Sequence, residues 1–185
     1  MKLIETYKSP NFNDRRNKLS VKYIILHYTA MTNHLDSIKH MCSTANKVST
    51  HFLVNKKGKT YYLVNVNKRA WHAGKSYWNG LTDLNSASIG IEIDNSGHHI
   101  NFENFTKLQI KSLSDLINQL VKDYKICPHN ILGHSDIAPF RKIDPGEKFP
   151  WNQLNEKHLS YLPEINPKIN GNKSEKITSN LRKKV

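Results

Sequence analysis

Cysteine is scarce in this chain, with Cys42 and Cys127 the two among 185 residues. Two are too few for a disulfide framework and neither sits in a ligand-like pair, so both are expected to be reduced, buried thiols. Long apolar runs are missing as well. Apolar residues make up 37% of the chain, yet they come in runs of a few residues, far short of the ~20 that cross a bilayer. No membrane insertion is expected. The opening Met1-Lys2-Leu3-Ile4-Glu5-Thr6-Tyr7-Lys8 has no apolar stretch of the kind a secretory signal needs, and no lipidation cysteine follows it. A cytoplasmic protein is expected, with the envelope or export by another route left open. No internal repeat, helix-turn-helix, zinc finger or RNA-recognition pattern is visible, which argues against specific binding of nucleic acid.

Acidic residues are the minority charge: 15 Asp and Glu stand against 28 Lys and Arg, for a formal +13. Such a balance favours an anionic partner. Residues 164–185 hold six basic and two acidic residues, or +4 of that total. After Pro163 the apolar pattern fails and Asn, Lys and Ser dominate, so the expected organisation is one domain over 1–163, monomeric, followed by a basic, flexible tail over 164–185.

The chemistry is densest in 131–146, where Ile131-Leu132-Gly133 reads as a short strand delivering His134, and Lys142 and Asp144 follow within ten residues. Imidazole and carboxylate are both zinc ligands, so His134 and Asp144 could close on one ion if 135–143 folds back as a loop. Two ligands do not make a site. The best third candidate is His27, which ends the apolar run Tyr23-Ile24-Ile25-Leu26 where a buried strand would meet the surface. The plainer reading stays open at this point, because Asp144-Pro145-Gly146 is also an ordinary turn sequence and the spacing matches none of the strong Cys/His patterns.

The rest of the chain supplies a scaffold. Residues 1–20 read as an irregular surface wrap. Residues 21–28 form a strand buried on both faces, and 35–45 form an amphipathic helix with Leu35, Ile38, Met41, Cys42 and Ala45 on its packed face, His34 and His40 facing solvent. Residues 50–54 and 60–66 form a β-hairpin turning at Gly58. His51, entering that hairpin, is read as a hydrogen-bonded core histidine in preference to a site residue. Residues 67–87, with Trp71, His72, Gly74, Tyr77 and Trp78 and no clear periodicity, read as a long loop forming one wall of a cleft, or a packed Ω-loop. In 88–94 the isoleucines lie on the face opposite Glu92, which is either a solvent-side residue or a placed base. Residues 106–124 are the clearest helix, started by a capping box of Thr106 and Gln109. A last short helix is expected over 151–159.

Four separated segments carry a resemblance: Ile24-Ile25-Leu26-His27-Tyr28-Thr29-Ala30, Ala70-Trp71-His72-Ala73-Gly74, Ser88-Ile89-Gly90-Ile91-Glu92-Ile93, and Gly133-His134-Ser135-Asp136-Ile137-Ala138-Pro139 continuing through Arg141-Lys142-Ile143-Asp144-Pro145-Gly146. In this order they resemble the AmpD-type N-acetylmuramoyl-L-alanine amidases of the amidase-2 or peptidoglycan-recognition-protein superfamily, over about 9–159. The resemblance implies an α/β single domain, a central mixed β-sheet flanked by helices. It implies zinc as cofactor held by His27, His134 and Asp144, with Glu92 and Lys142 as the catalytic pair and His72, Trp71 and Tyr28 as substrate contacts. Some relatives carry a cysteine as third ligand; here the position is Asp144. The implied substrate is peptidoglycan or a muropeptide, cut between N-acetylmuramic acid and L-alanine, with anhydro and intact sugar both open. A binding module that has lost the chemistry would usually lack a zinc ligand, and this chain keeps all three. Basic charge alone supports nonspecific nucleic-acid binding at most.

Overall fold

The computed structural model describes residues 2–16 and 19–162; the basic tail expected at 164–185 lies outside them. Among the described residues, eight strands form two sheets. Strand β3 (Tyr23–Tyr28) is buried at all six positions and pairs in parallel with both β7 (Ser88–Ile93) and β8 (Ile131–Gly133). Beyond β7 come β4 (Phe52–Val54), parallel to it, then β5 (Thr60–Tyr62), antiparallel, and at the edge β1 (Leu3–Ile4), parallel to β5. The sheet order is β1-β5-β4-β7-β3-β8, so the mixed sheet follows the expected class. β2 (Phe12–Asp14) and β6 (Lys68–Ala70) form a separate antiparallel ribbon.

Side-chain alternation divides the sheet between scaffold and chemistry. Ile24 and Leu26 of β3, and Ile89, Ile91 and Ile93 of β7, point to one face, where they pack with Ile110, Leu113, Leu116, Ile117 and Leu120 of α3 (Lys107–Tyr124). Each such fully buried aliphatic side chain contributes roughly 1.5–3 kcal/mol relative to exposure. The capping box of α3 forms as expected, with Thr106 Oγ1 accepting from Gln109 N and the Gln109 side chain accepting from Thr106 N. On the opposite face, β3 and β7 present His27 and Glu92 side by side in register, with Ile25 beside Gly90 one step back.

The hairpin turns at Gly58, φ +74°, where an added Cβ would lie 2.8 Å from the Leu108 carbonyl oxygen. Helix α1 (His34–Cys42) is capped by Asn33, whose side chain accepts from Asp36 N, and buries Ile38 and Met41 against Leu53, Tyr61 and Leu63. Its rotation corrects the sequence expectation. Residues four apart share a helix face, so His34 joins Ile38 and bonds the Tyr61 hydroxyl at 3.1 Å, while Leu35 is turned outward, 42% exposed. The helix ends at Cys42, and Ala45 falls in a separate 3-10 turn, Thr44–Asn46.

Further corrections follow from short, non-local pairings. The segment before residue 16 supplies β1 and β2, and it is pinned from within: Asn11, 2% exposed, donates from its amide to the carbonyls of Met41, Ser43 and Val48 at 3.1, 2.8 and 3.0 Å. Asn11→Ala leaves these buried acceptors unmet and is expected to lower stability by about 1–3 kcal/mol, read as a drop in urea midpoint; an unchanged midpoint would show that water takes the amide's place. Residues 67–87 hold β6 and the short α2 (Leu84–Ala87) in place of one long loop. Arg15 stitches this segment down, donating to the carbonyls of Val66, Asn85, Ser86 and Ser88. Cys42 is half-buried and Cys127 exposed, so neither is the fully buried thiol expected. After α4 (His134–Ile137), the last helix among the described residues is α5 (Trp151–Asn155), shorter than 151–159. Among the described residues no helix is long and apolar enough to cross a membrane.

Candidate active site

Three adjacent pieces of backbone bring the three ligand candidates together. His27 is the penultimate residue of β3. Gly133 of β8 pairs with Leu26, which sets His134, the first residue of α4, beside His27. Asp144 then returns on the loop after α4, held by a bond from Ser135 N to its carbonyl at 2.9 Å. Gly133 is needed for this fit, since a Cβ there would lie 2.8 Å from Pro145 Cδ.

The result is a nearly equilateral triangle of ligand atoms. His27 Nδ1 and His134 Nδ1 are 2.9 Å apart, and Asp144 Oδ2 lies 3.0 Å from the first and 3.1 Å from the second. All three side chains are buried. Bonds of 2.0–2.1 Å to a tetrahedral ion would separate its ligands by about 3.3 Å, close to what the triangle offers. The donor chemistry fits a cation as well. His134 Nε2 donates to the Ala73 carbonyl at 3.0 Å, which leaves the Nδ1 lone pair aimed at the triangle. Burial, with His134 beside it, pulls His27 down to about 4 despite the opposing pull of the Asp144 carboxylate. Asp144 is pushed up by burial, but the two imidazoles it faces, His134 and His27, outweigh this and hold it below the usual carboxylate range. Neutral imidazole facing ionised carboxylate is the protonation state that metal binding requires.

Glu92 stands beside His27 in the strand register. Its side chain is half-buried overall, but Oε2 is shielded from solvent and has no hydrogen-bond partner. Burial raises its pKa well above the ordinary value, the negative charge of Asp144 adds to the rise, and Lys142 opposes it. Lys142 is half-buried, its backbone anchored to the Ala138 carbonyl at 3.0 Å. These groups line a cavity of about 290 Å³.

The other proposed contacts are distributed differently from the sequence reading. Tyr28 lines the cavity, its hydroxyl 3.0 Å from His98 Nδ1. His72 borders it but is only 7% exposed, and both its ring nitrogens face protein groups, His27 Nε2 at 3.0 Å and Ser88 Oγ at 3.3 Å. Trp71 lies off the cavity, its indole N–H donating to Asn13 Oδ1 at 3.0 Å on the β2–β6 ribbon. From 67–87 only His72 reaches the cavity; the other walls include the ends of β3 and β7, α1, Val48, His99 and 141–144. His51 is the core histidine expected: fully buried, it accepts from Gly90 N at 3.0 Å and bonds the Lys68 carbonyl at 3.0 Å.

Arg141 was missed by the sequence reading. It lines the cavity and donates to the carbonyls of Ala73 and Lys75 at 2.8 and 2.7 Å, tying the loop that carries Asp144 to the loop behind His134. Its place next to Lys142 was the available signal, a second cation in the densest stretch of the chain.

A family model described as N-acetylmuramoyl-L-alanine amidase, Amidase_2, matches residues 17–147. The chain is 39% identical over 156 residues to N-acetylmuramoyl-L-alanine amidase AmiD of Escherichia coli K12, covering 78% of this chain and 55% of that protein. It is 36% identical over 171 residues to 1,6-anhydro-N-acetylmuramyl-L-alanine amidase AmpD of Haemophilus influenzae, covering 83% and 89%. The solved complex of E. coli AmiD with anhydro-N-acetylmuramic acid-L-Ala-D-gamma-Glu-L-Lys superposes with a TM-score of 0.73 at 36% identity, over 81% of this chain and 62% of that one. The chain thus spans little more than half the length of AmiD and most of AmpD.

Proposed function

This chain belongs to the N-acetylmuramoyl-L-alanine amidase family, and from that premise we propose that it is a zinc-dependent amidase cutting the amide between N-acetylmuramic acid and the L-alanine of a peptidoglycan stem peptide. The observation that carries the reading is the triangle of His27, His134 and Asp144 with Glu92 beside it on the same face of the sheet. Residues 1–163 are the proposed amidase domain.

His27, His134 and Asp144 would hold the ion, which when bound supplies Lewis acidity toward the scissile carbonyl and a water nucleophile. The protein's own part is proton traffic and charge. Glu92 takes a proton from the attacking water and passes it to the departing amine of L-alanine, a task suited to a carboxyl that burial makes a stronger base than an ordinary carboxylate. Lys142 offsets the negative charge that grows on the carbonyl oxygen. Lys142→Ala is therefore expected to lower kcat with metal content unchanged. A rise in KM alone would make Lys142 a substrate anchor.

The deciding experiment digests anhydro-muropeptides and intact sacculi with the purified protein and follows products by mass spectrometry, with and without a chelator. Release of stem peptide beginning at L-alanine, lost on chelation and restored by zinc, is the expected result. Absence of that cleavage from both substrates, or cleavage indifferent to chelation, would overturn the proposal. The relative rates on the two substrates also decide between recycling of anhydro fragments and turnover of the intact wall.

A further inference from the structure

A directed chain of hydrogen bonds runs behind His27. Ser88 Oγ and the Leu84 carbonyl oxygen are 2.5 Å apart, and two oxygens at that distance need a proton between them; a carbonyl has none, so Ser88 donates. With its proton committed there, Ser88 Oγ can only accept from His72 Nε2 at 3.3 Å. The proton of His72 then sits on Nε2, and its Nδ1 carries a lone pair. That lone pair faces His27 Nε2 at 3.0 Å, so His27 carries its proton on Nε2 and turns an Nδ1 lone pair toward His134 and Asp144.

Resting on the metal reading of that triangle, we propose that His72 is a positioning residue that fixes the tautomer and ring orientation of His27 as a metal ligand. Three independent features hold His72 for this role. Asn85 Oδ1 accepts from His72 N at 2.9 Å and from Ala73 N at 2.7 Å, clamping the backbone. Ser88 sets the ring's proton. Gly90 forms the floor under the ring, for a Cβ there would lie 2.4 Å from His72 Cγ. The imidazole planes of His27 and His72 are twisted by 77°, which a donated N–H directed in line at a ring lone pair allows. The other ligand is treated alike, its Nε2 bonded to the Ala73 carbonyl one residue on. The segment 72–88 thus sets the tautomer of both histidines while only His72 from it reaches the cavity.

The test is zinc affinity of the metal-free protein, measured by competition with a chromophoric chelator and independent of turnover. His72→Phe keeps a flat ring and removes the acceptor, and is expected to weaken zinc by about 10- to 100-fold. His72→Asn places an amide oxygen near the position of Nδ1 and should keep affinity within about threefold of wild type, since the acceptor is what matters. Wild-type affinity in His72→Phe, or equal losses in both variants, would overturn the proposal, the second because it assigns the effect to packing. His27→Ala separates the two levels. If it binds zinc as wild type does, the metal reading falls and this inference with it. If it loses zinc while His72→Phe does not, only the role of His72 is lost.

Discussion

Asp144→Ala is expected to abolish turnover and to purify with essentially no bound zinc. Asp144 closes the ligand triangle at 3.0 and 3.1 Å from the two histidine nitrogens and is the one anionic member. Without it, two imidazole nitrogens 2.9 Å apart remain, with neither the count nor the anionic ligand of the site. The residue is 6% exposed, so the substitution also opens a small void. Asp144→Asn controls for that, because it keeps the shape and gives up the charge; it too should lose zinc. Metal analysis by mass spectrometry and turnover of an anhydro-muropeptide decide the matter. One zinc per chain with normal turnover in Asp144→Ala would remove Asp144 from the ligand set.

Several features of this site are legible in the sequence because they rest on local signals. The apolar density of 21–28 marks β3, and a strand so buried delivers its last residues to a fixed place, which is why His27 stood out. The alternation of Ile89, Ile91 and Ile93 placed Glu92 on the opposite face, and the structure has it there beside His27. The capping box at Thr106 fixed where α3 begins. The likeness to a known family drew the ligands together, since spacing alone left Asp144 as easily read in a turn.

What was not legible is set by non-local pairing. Strands β1, β2 and β6 are two or three residues long, and their stability comes from partners about 55 residues away, so no periodicity announces them. Asn11 reads as a loop residue beside Pro10, and only the fold shows that three carbonyls converge on its amide. His72 is the instructive case. Contact with substrate is what the family resemblance implies for it, within a segment read as one wall of a cleft. Which imidazole it would meet is decided by β7: Gly90 leaves the space that the ring fills, and Ser88 meets its far nitrogen. A glycine on the Glu92 face of a buried strand was the sequence signal for a side chain packed from above.

Glu92→Gln is expected to lower turnover by at least ~100-fold with zinc still bound. Glutamine preserves the shape in the row Leu53, Glu92, His27 across β4, β7 and β3, so the metal triangle should be undisturbed, but an amide cannot take the proton from water. Two pH measurements separate this role from simple burial. In the wild type, kcat/KM should fall on the acid side as Glu92 is protonated, and that limb should flatten in the variant. The second concerns stability of the metal-free protein. The folded-state pKa of Glu92 lies well above the ordinary 4.5, so the folded state holds this proton more tightly than the unfolded state does. The wild type then loses stability as pH rises from about 4.5 through the folded value, because the unfolded state releases a proton that the buried carboxyl, whose Oε2 has no partner, retains. Glu92→Gln lacks that loss: it should be more stable than wild type toward urea at neutral pH, and the two should converge as pH falls below about 4.5. A bound dication would draw Glu92 back down and narrow the difference, so adding zinc should shrink the gap at pH 7. Turnover within a few-fold of wild type, with the acid limb intact, would move the proton transfer to another group. A stability gap with normal turnover would leave Glu92 a buried carboxylate and nothing more.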